Sequence, residues 1–215
     1  MNKVLIFIVL LTASARAYAQ YDFPEWQTEK YKTANTAANV SYMSKDEAEI
    51  LLLLNYARMD GKLFAETYLK KYVEIKNLSN SKPLKSLYTE LNKLNPLPLI
   101  NPSEGLTKAA RSHAEYMGKS GKLGHKGKGG KNPTERIEQF VEWDVWVAEN
   151  CQYGAATPVE IVLHLLIDEK VPDLGHRKNI LDKRAKYIGI AIAPHKDYRI
   201  NTVMEFAGGI IRNKF

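Results

Sequence analysis

A chain of 215 residues, 45% hydrophobic and 26% charged, fits one domain with a real core. Its formal charge of +7 permits weak attraction to anionic walls, lipids or polymers without specifying one, and no nucleic-acid partner is expected. A single cysteine, Cys151, excludes an internal disulfide, so stability must come from packing.

Residues 1–19 read as a signal peptide. Lys3 supplies the basic start, residues 4–11 are uninterrupted apolar, and Ala17-Tyr18-Ala19 is an A-x-A cleavage site. That run is far shorter than the roughly 18 apolar residues of a membrane span, and no other stretch approaches that length. The mature chain is expected to start at Gln20, with cleavage between Ala19 and Gln20 and a secreted or periplasmic destination. Loss of Lys3 and Arg16 lowers the formal charge from +7 to +5.

Residues 20–43 are aromatic and polar without periodicity and read as an N-terminal arm along the surface of a domain spanning 44–215. Ser44 and Glu47 form a capping box that opens a helix to about Val73, with a possible break at Gly61. A polar linker and a short helix over 84–94 follow, then a stretch punctuated by Pro96, Pro98 and Pro102. Ser103 opens a second strong helix. Leu106, Ala109, Ala110, His113, Ala114 and Met117 fall on one buried face, which makes His113 a core histidine with a hydrogen-bond partner.

Residues 118–131 hold six glycines and five lysines and read as a mobile basic loop with His125 in its middle. Lysines folded over a site would disfavour a bound cation and favour an anionic ligand. Residues 141–151 alternate as a strand, placing Val141, Trp143, Val145, Val147, Glu149 and Cys151 on one face. Glu149 is the single charge there. A buried carboxylate must be compensated, either by backbone amides or by a cationic or metal-bearing cleft. Cys151 on the same face reads as a buried, inert thiol.

Thr157, Pro158 and Glu160 start a largely buried helix running to about Glu169. Glu160, His164 and Asp168 form a polar stripe read as its solvated edge. Glu169, about 100° further round, is the carboxylate expected to face inward. Residues 186–193 and 199–207 read as an antiparallel hairpin covered on both faces, with His195 exposed at its turn.

In order, Leu-Gly-His125, Ala-Glu149-Asn, Leu-Leu-Ile-Asp-Glu169 and Gly-His176-Arg-Lys-Asn-Ile-Leu resemble the CAP superfamily of cysteine-rich secretory, antigen-five and pathogenesis-related proteins, in its bacterial exported form. The resemblance covers roughly residues 47–210, and Glu-Phe-Ala-Gly-Gly at 205–209 fits its end. It implies an α+β fold, a three-layer α-β-α sandwich with a central antiparallel sheet, whose cleft holds two histidines and two acids. Those are His125, Glu149, Glu169 and His176, with Asp168 the alternative for the second acid. Ala148 stands where the family usually has glycine, and the disulfides of eukaryotic members are absent.

The resemblance implies a binding module for a metal ion and a small, lipid-like or cell-wall ligand. His125 and His176 would ligate a weak, exchangeable Zn2+, and Glu149 and Glu169 would orient them or hold a water. The alternative is a zinc-assisted or acid/base, peptidase-like hydrolase using Glu149 and Glu169 at the same cleft. A third reading has the four residues buttress the cleft walls. No G-x-S-x-G or H-E-x-x-H motif marks a catalytic apparatus.

Overall fold

The computed structural model describes residues 21–215; the leader read at 1–19 and its cleavage point lie outside the described residues. Helix α1 (Lys45–Met59) starts at the expected capping box. The Glu47 amide donates to Ser44 Oγ at 3.2 Å and the Ser44 amide donates to the Glu47 carboxylate at 2.7 Å. Asp60 ends α1 and caps α2, which runs Gly61–Phe64, passes through a π-helical turn at Ala65–Leu69 and ends as Lys70–Lys76. Next come α3 (Lys82–Lys93), the short strand β1 (Asn101–Pro102) and α4 (Glu104–Ser120), closed by Gly121 at φ 70°. The remaining elements are α5 (Pro133–Ile137), β2 (Val141–Tyr153), α6 (Pro158–Ile167), α7 (Gly175–Ile180), β3 (Tyr187–His195) and β4 (Arg199–Asn213).

The strands form one sheet in the order β1-β3-β4-β2. The β3/β4 hairpin and the β4/β2 pair are antiparallel, but β1 runs parallel to β3. The sheet is therefore mixed rather than purely antiparallel. The two residues of β1 follow the proline-rich stretch and leave no alternation to read. Among the described residues, no helix is long and apolar enough to cross a membrane.

Helices cover both faces of the sheet, giving three layers. Alternation along β3 assigns the faces. Ile188 and Ile190 join the thick core beneath α1 and α6, while Ala191 and Ala193 meet Ala110 and Ala114 of α4. A Cβ at Gly189 would fall 1.9 Å from the Leu106 carbonyl carbon and 2.0 Å from the Thr107 nitrogen, so only glycine permits this approach of α4. Glu47 also ties the layers together: buried, it accepts from the Ile192 amide at 2.9 Å and from Arg111 at 3.2 Å.

The N-terminal arm goes deeper than a surface path. Trp26, Tyr31, Ala34, Ala37 and Met43 are buried in the main core. Trp26 stacks on Tyr56 at 4.2 Å and donates through Nε1 to Thr67 Oγ1 at 3.0 Å. The Asn55 side chain bridges the arm and the segment before β1, donating to the Ala34 and Ile100 carbonyls and accepting from the Ile100 amide.

Strand β2 departs from simple alternation. Register shifts fall at Glu142/Trp143 and between Asp144 and Val147, where Val145 takes φ 68°. Val145 is consequently 67% exposed instead of facing inward with Val141 and Val147. Beyond the bulge the alternation resumes, so Glu149 and Cys151 share a face as expected; that face meets α4, and both residues are buried. His195, expected to be exposed, is also buried. Its Nε2 donates to the Lys122 carbonyl at 3.1 Å, and its Nδ1 accepts from the amides of Asp197 and Tyr198.

Candidate functional site

Two histidine–carboxylate pairs are tied to β2. In the first, His125 Nδ1 lies 2.7 Å from Glu149 Oε1. The imidazole is about half exposed, with 52% of its side-chain surface accessible, whereas the Glu149 side chain is 1% accessible. In the second, His176 Nδ1 lies 2.7 Å from Asp168 Oδ1, with side-chain exposures of 22% and 2%. Asn150, next to Glu149, joins the two. Its side-chain amide donates to the His176 carbonyl at 3.0 Å, and its Oδ1 accepts from Asn179, which also reaches the Glu149 carbonyl.

Local folding sets the second pair. The helix read as continuing to Glu169 stops at Ile167, and Asp168 takes the left-handed conformation at φ 58°, ψ 44°. Aspartate tolerates that region better than most residues. The reversal turns Asp168 inward rather than along a solvated edge. Its Oδ2 accepts the amides of His176 at 2.9 Å and Arg177 at 3.3 Å, capping α7, which has no cap of its own at Leu174. Glu169 is not brought to the histidines. It is exposed, accepts from Ser81 Oγ at 2.6 Å, and lines an outer groove of about 590 Å³ with Tyr72, Leu84 and Lys170.

Arg177 buttresses the turn from behind. Its guanidinium donates to the Leu166 and Ile167 carbonyls at 2.6 and 2.9 Å and to the Pro83 carbonyl and Ser86 Oγ at 2.8 Å each. The Gly-His-Arg-Lys-Asn run thus supplies an outward imidazole, a buried strut and, through Asn179, a link to β2.

Behind His125 lies a buried polar cluster. Glu149 and Glu205 occupy paired positions on β2 and β4. Arg136 from α5 donates to the Glu149 carboxylate and sits 3.5 Å from Glu205 Oε1. His113 Nε2 is 3.7 Å from Glu149 Oε2 and donates to the Gly124 carbonyl at 3.0 Å. A carbonyl only accepts, so His113 carries its proton on Nε2 and keeps a lone pair on Nδ1. That Nδ1 has no hydrogen-bond partner among the described residues.

The electrostatics follow from these contacts. Burial opposes the Glu149 charge, but His125, Arg136 and a proton donated by Glu205 outweigh it and hold its carboxyl below the usual range. Burial, reinforced by the Glu149 charge, pushes Glu205 well up and favours its neutral form. The bond to Glu149 raises His125. Burial lowers His113. Burial and the two nearby carboxyl groups push the Cys151 thiol well up, keeping it neutral and non-nucleophilic.

The basic loop is pinned rather than loose. The Gly124 amide donates to Tyr153 Oη at 2.9 Å, and the Gly124, His125 and Lys131 carbonyls accept from His113 and Arg136. A Cβ at Gly127 would fall 2.8 Å from Arg136 Cδ and 3.5 Å from His113 Nδ1, so glycine lets the loop close over both.

His113, Glu149 and Cys151 present ligand atoms within 4.8 Å of one another and could hold a metal ion. Arg136 counts against that set: it already neutralises Glu149 and would lie beside the incoming cation. His125 and His176 lie outside that set. Each is fixed through Nδ1 by a buried carboxylate, and neither Nε2 has a hydrogen-bond partner among the described residues.

The sequence reading missed Arg136 and Glu205, whereas His113 is the buried core histidine with a hydrogen-bond partner that it expected. Glu205 carried a usable signal. It shares a strand face with Val203 and Ala207, as Glu149 does with Val147 and Cys151, and two lone charges on apolar faces are natural cross-strand partners. Arg136 lies in a five-residue helix that the sequence reading left unassigned.

A mixed four-stranded sheet between helical layers, with two histidine–acid pairs tied to β2, defines an α-β-α domain. The chain belongs to the family described as CAP: Cysteine-rich secretory protein family, whose model matches residues 51–206. Among solved structures it is similar to an extracellular protein containing an SCP domain from Bacillus anthracis str. Ames, with 19% identity and TM-score 0.43. That match covers 58% of this chain and 37% of the other, so it spans little more than a third of that protein. It is also similar to an outer surface protein of Borrelia burgdorferi, with 21% identity and TM-score 0.41, over 60% of this chain and 95% of the other. A search of curated proteins returned no match.

Proposed function

We propose that the protein is an exported binding module in which His125 and His176 hold a weak, exchangeable divalent metal, zinc by the chemistry of imidazole. The observation that carries this reading is the pair of Nδ1 anchors. A histidine that gives its Nδ1 proton to a carboxylate presents the Nε2 lone pair outward in a fixed direction, which is how metal-binding histidines are oriented. Glu149 and Asp168 act as the orienting carboxylates.

Two imidazoles leave coordination positions for water or a ligand atom. The exposed lysines around His125 weaken the hold on a cation and favour an anionic small or lipid-like ligand in those positions. Export follows from the leader read at 1–19. Hydrolysis at the same cleft is less well supported. Both carboxylates are engaged in holding a histidine, and Cys151 is a buried neutral thiol.

Cobalt(II) substitution tests the assignment. The expected spectrum has ligand-field bands but no thiolate-to-cobalt charge transfer, and it disappears in His125→Ala/His176→Ala. A thiolate band that survives the double substitution would move the metal to His113, Glu149 and Cys151 and overturn the reading.

A further inference from the structure

The His125 ring is fixed by Glu149, which leaves open what fixes Glu149 and the loop that carries His125. One side chain reaches both. Arg136 is 4% exposed. Its Nη1 donates to the His125 carbonyl at 2.7 Å and to the Lys131 carbonyl at 3.0 Å. Its Nη2 donates to Glu149 Oε2, the carboxylate oxygen that does not touch His125. Its stem packs where a Cβ at Gly127 would stand. A planar guanidinium presents donors in fixed directions, so a single group can lock a backbone carbonyl and a carboxylate together.

We propose that Arg136 is the positioning residue of this site: it holds His125 at both ends, by the backbone carbonyl through Nη1 and by the ring through Glu149. This deepens the reading of His125 as a metal ligand and rests on it for its functional meaning. Glu205 completes the arrangement. It is wholly buried 3.5 Å from the same Nη2, and burial beside Glu149 favours its neutral form, in which one guanidinium faces one carboxylate. Two ionised carboxylates here would leave an uncompensated buried charge. Lysine can replace the charge of Arg136 but not the fork, because its ammonium is a point charge at the end of a flexible stem. The short helix α5 delivers Arg136 under the basic loop, and its capping box at Asn132 and Glu135 fixes where the helix starts.

The test uses the metal-free mature protein, so that it can be read whether or not zinc binds. Amide hydrogen exchange is followed across residues 122–131 and across β3 and β4. The His125 ring nitrogens are followed by ¹⁵N NMR under conditions where the imidazole is neutral. In Arg136→Gln, exchange in the loop is expected to speed up by about tenfold or more, the least that loss of its charge-assisted bonds to the His125 and Lys131 carbonyls implies, while β3 and β4 hold their protection. The His125 ring is expected to shift from a single Nδ1–H tautomer to a mixture. Arg136→Lys keeps a cation beside Glu149 and remains readable if the glutamine variant fails to fold. It is expected to restore global stability but not loop protection. Unchanged loop exchange and an unchanged tautomer in folded Arg136→Lys would overturn the proposal. Exchange that quickens equally in loop and sheet would do so too, because it marks a merely structural arginine. Zinc titration of the wild type is scored separately: its failure sinks the metal reading and leaves the positioning result intact.

Discussion

Replacing Asp168 by alanine separates the two acids that lie side by side after α6. The Asp168 carboxylate accepts three hydrogen bonds, from His176 Nδ1 at 2.7 Å and from the His176 and Arg177 amides at 2.9 and 3.3 Å. Charge-assisted bonds contribute about 1.5–3 kcal/mol each, but these three share one group and the partly exposed His176 can recover water, so they do not add. Alanine in the left-handed conformation costs about 1 kcal/mol more. The expected loss is about 3–4 kcal/mol. At about 2–4 °C per kcal/mol for a domain of this size, the melting temperature should fall by roughly 10 °C. Asp168→Asn keeps the backbone preference and one acceptor and should lose about half as much. Glu169→Ala removes an exposed side chain with one bond to Ser81 and should change stability by no more than about 0.5 kcal/mol. Calorimetric melting of the three variants is the assay. An Asp168→Ala variant as benign as Glu169→Ala, or the reverse order, would refute the argument that Asp168 is the carboxylate holding α7 and His176.

Three further outcomes follow from individual contacts. Gly189→Ala drives a Cβ into the α4 backbone at 1.9 Å, so it should cost more than about 3 kcal/mol and reduce soluble yield; a thermal scan of whatever folds checks this. Glu205 has its folded pKa raised, so the native state binds more protons than the unfolded one above the ordinary glutamate value, and its contribution declines as pH rises. Urea melts should therefore show Glu205→Gln gaining stability relative to wild type as pH rises above the ordinary glutamate value, and a constant difference would count against a buried neutral acid. His125 is also raised. The stabilisation from its pairing with Glu149 is complete below the ordinary histidine value near 6.5 and is lost as pH rises through the folded value, while zinc binding strengthens over the same rise as the proton leaves. An NMR titration placing His125 at or below the ordinary value would contradict this.

Much of the frame is legible in the sequence because short-range chemistry dictates it. Ser44 with Glu47 and Thr157 with Glu160 mark helix starts that the structure keeps, and the Ile188/Ile190 against Gly189/Ala191 alternation assigns both faces of β3. His125, Glu149 and His176 are each legible as polar groups in a motif. What eludes local reading depends on single backbone reversals or on distant partners. The left-handed turn at Asp168 exchanges the roles of two adjacent acids, and the bulge at Val145 turns a β-branched residue outward. Arg136, Glu205 and His113 come from three separate elements, and no spacing in the chain announces that they converge on Glu149. The basic loop reads as mobile because its composition is glycine and lysine; its anchors are side chains of α4, α5 and β2.

The most direct test of the central claim is calorimetric zinc titration of mature protein, wild type against His125→Ala/His176→Ala, with His113→Gln/Cys151→Ser as the control. The account predicts one saturable, weak site in the wild type and in the control, and none in the His125/His176 variant. Binding that survives loss of both outward imidazoles, or no binding by the wild type at any pH where His125 is neutral, would contradict it.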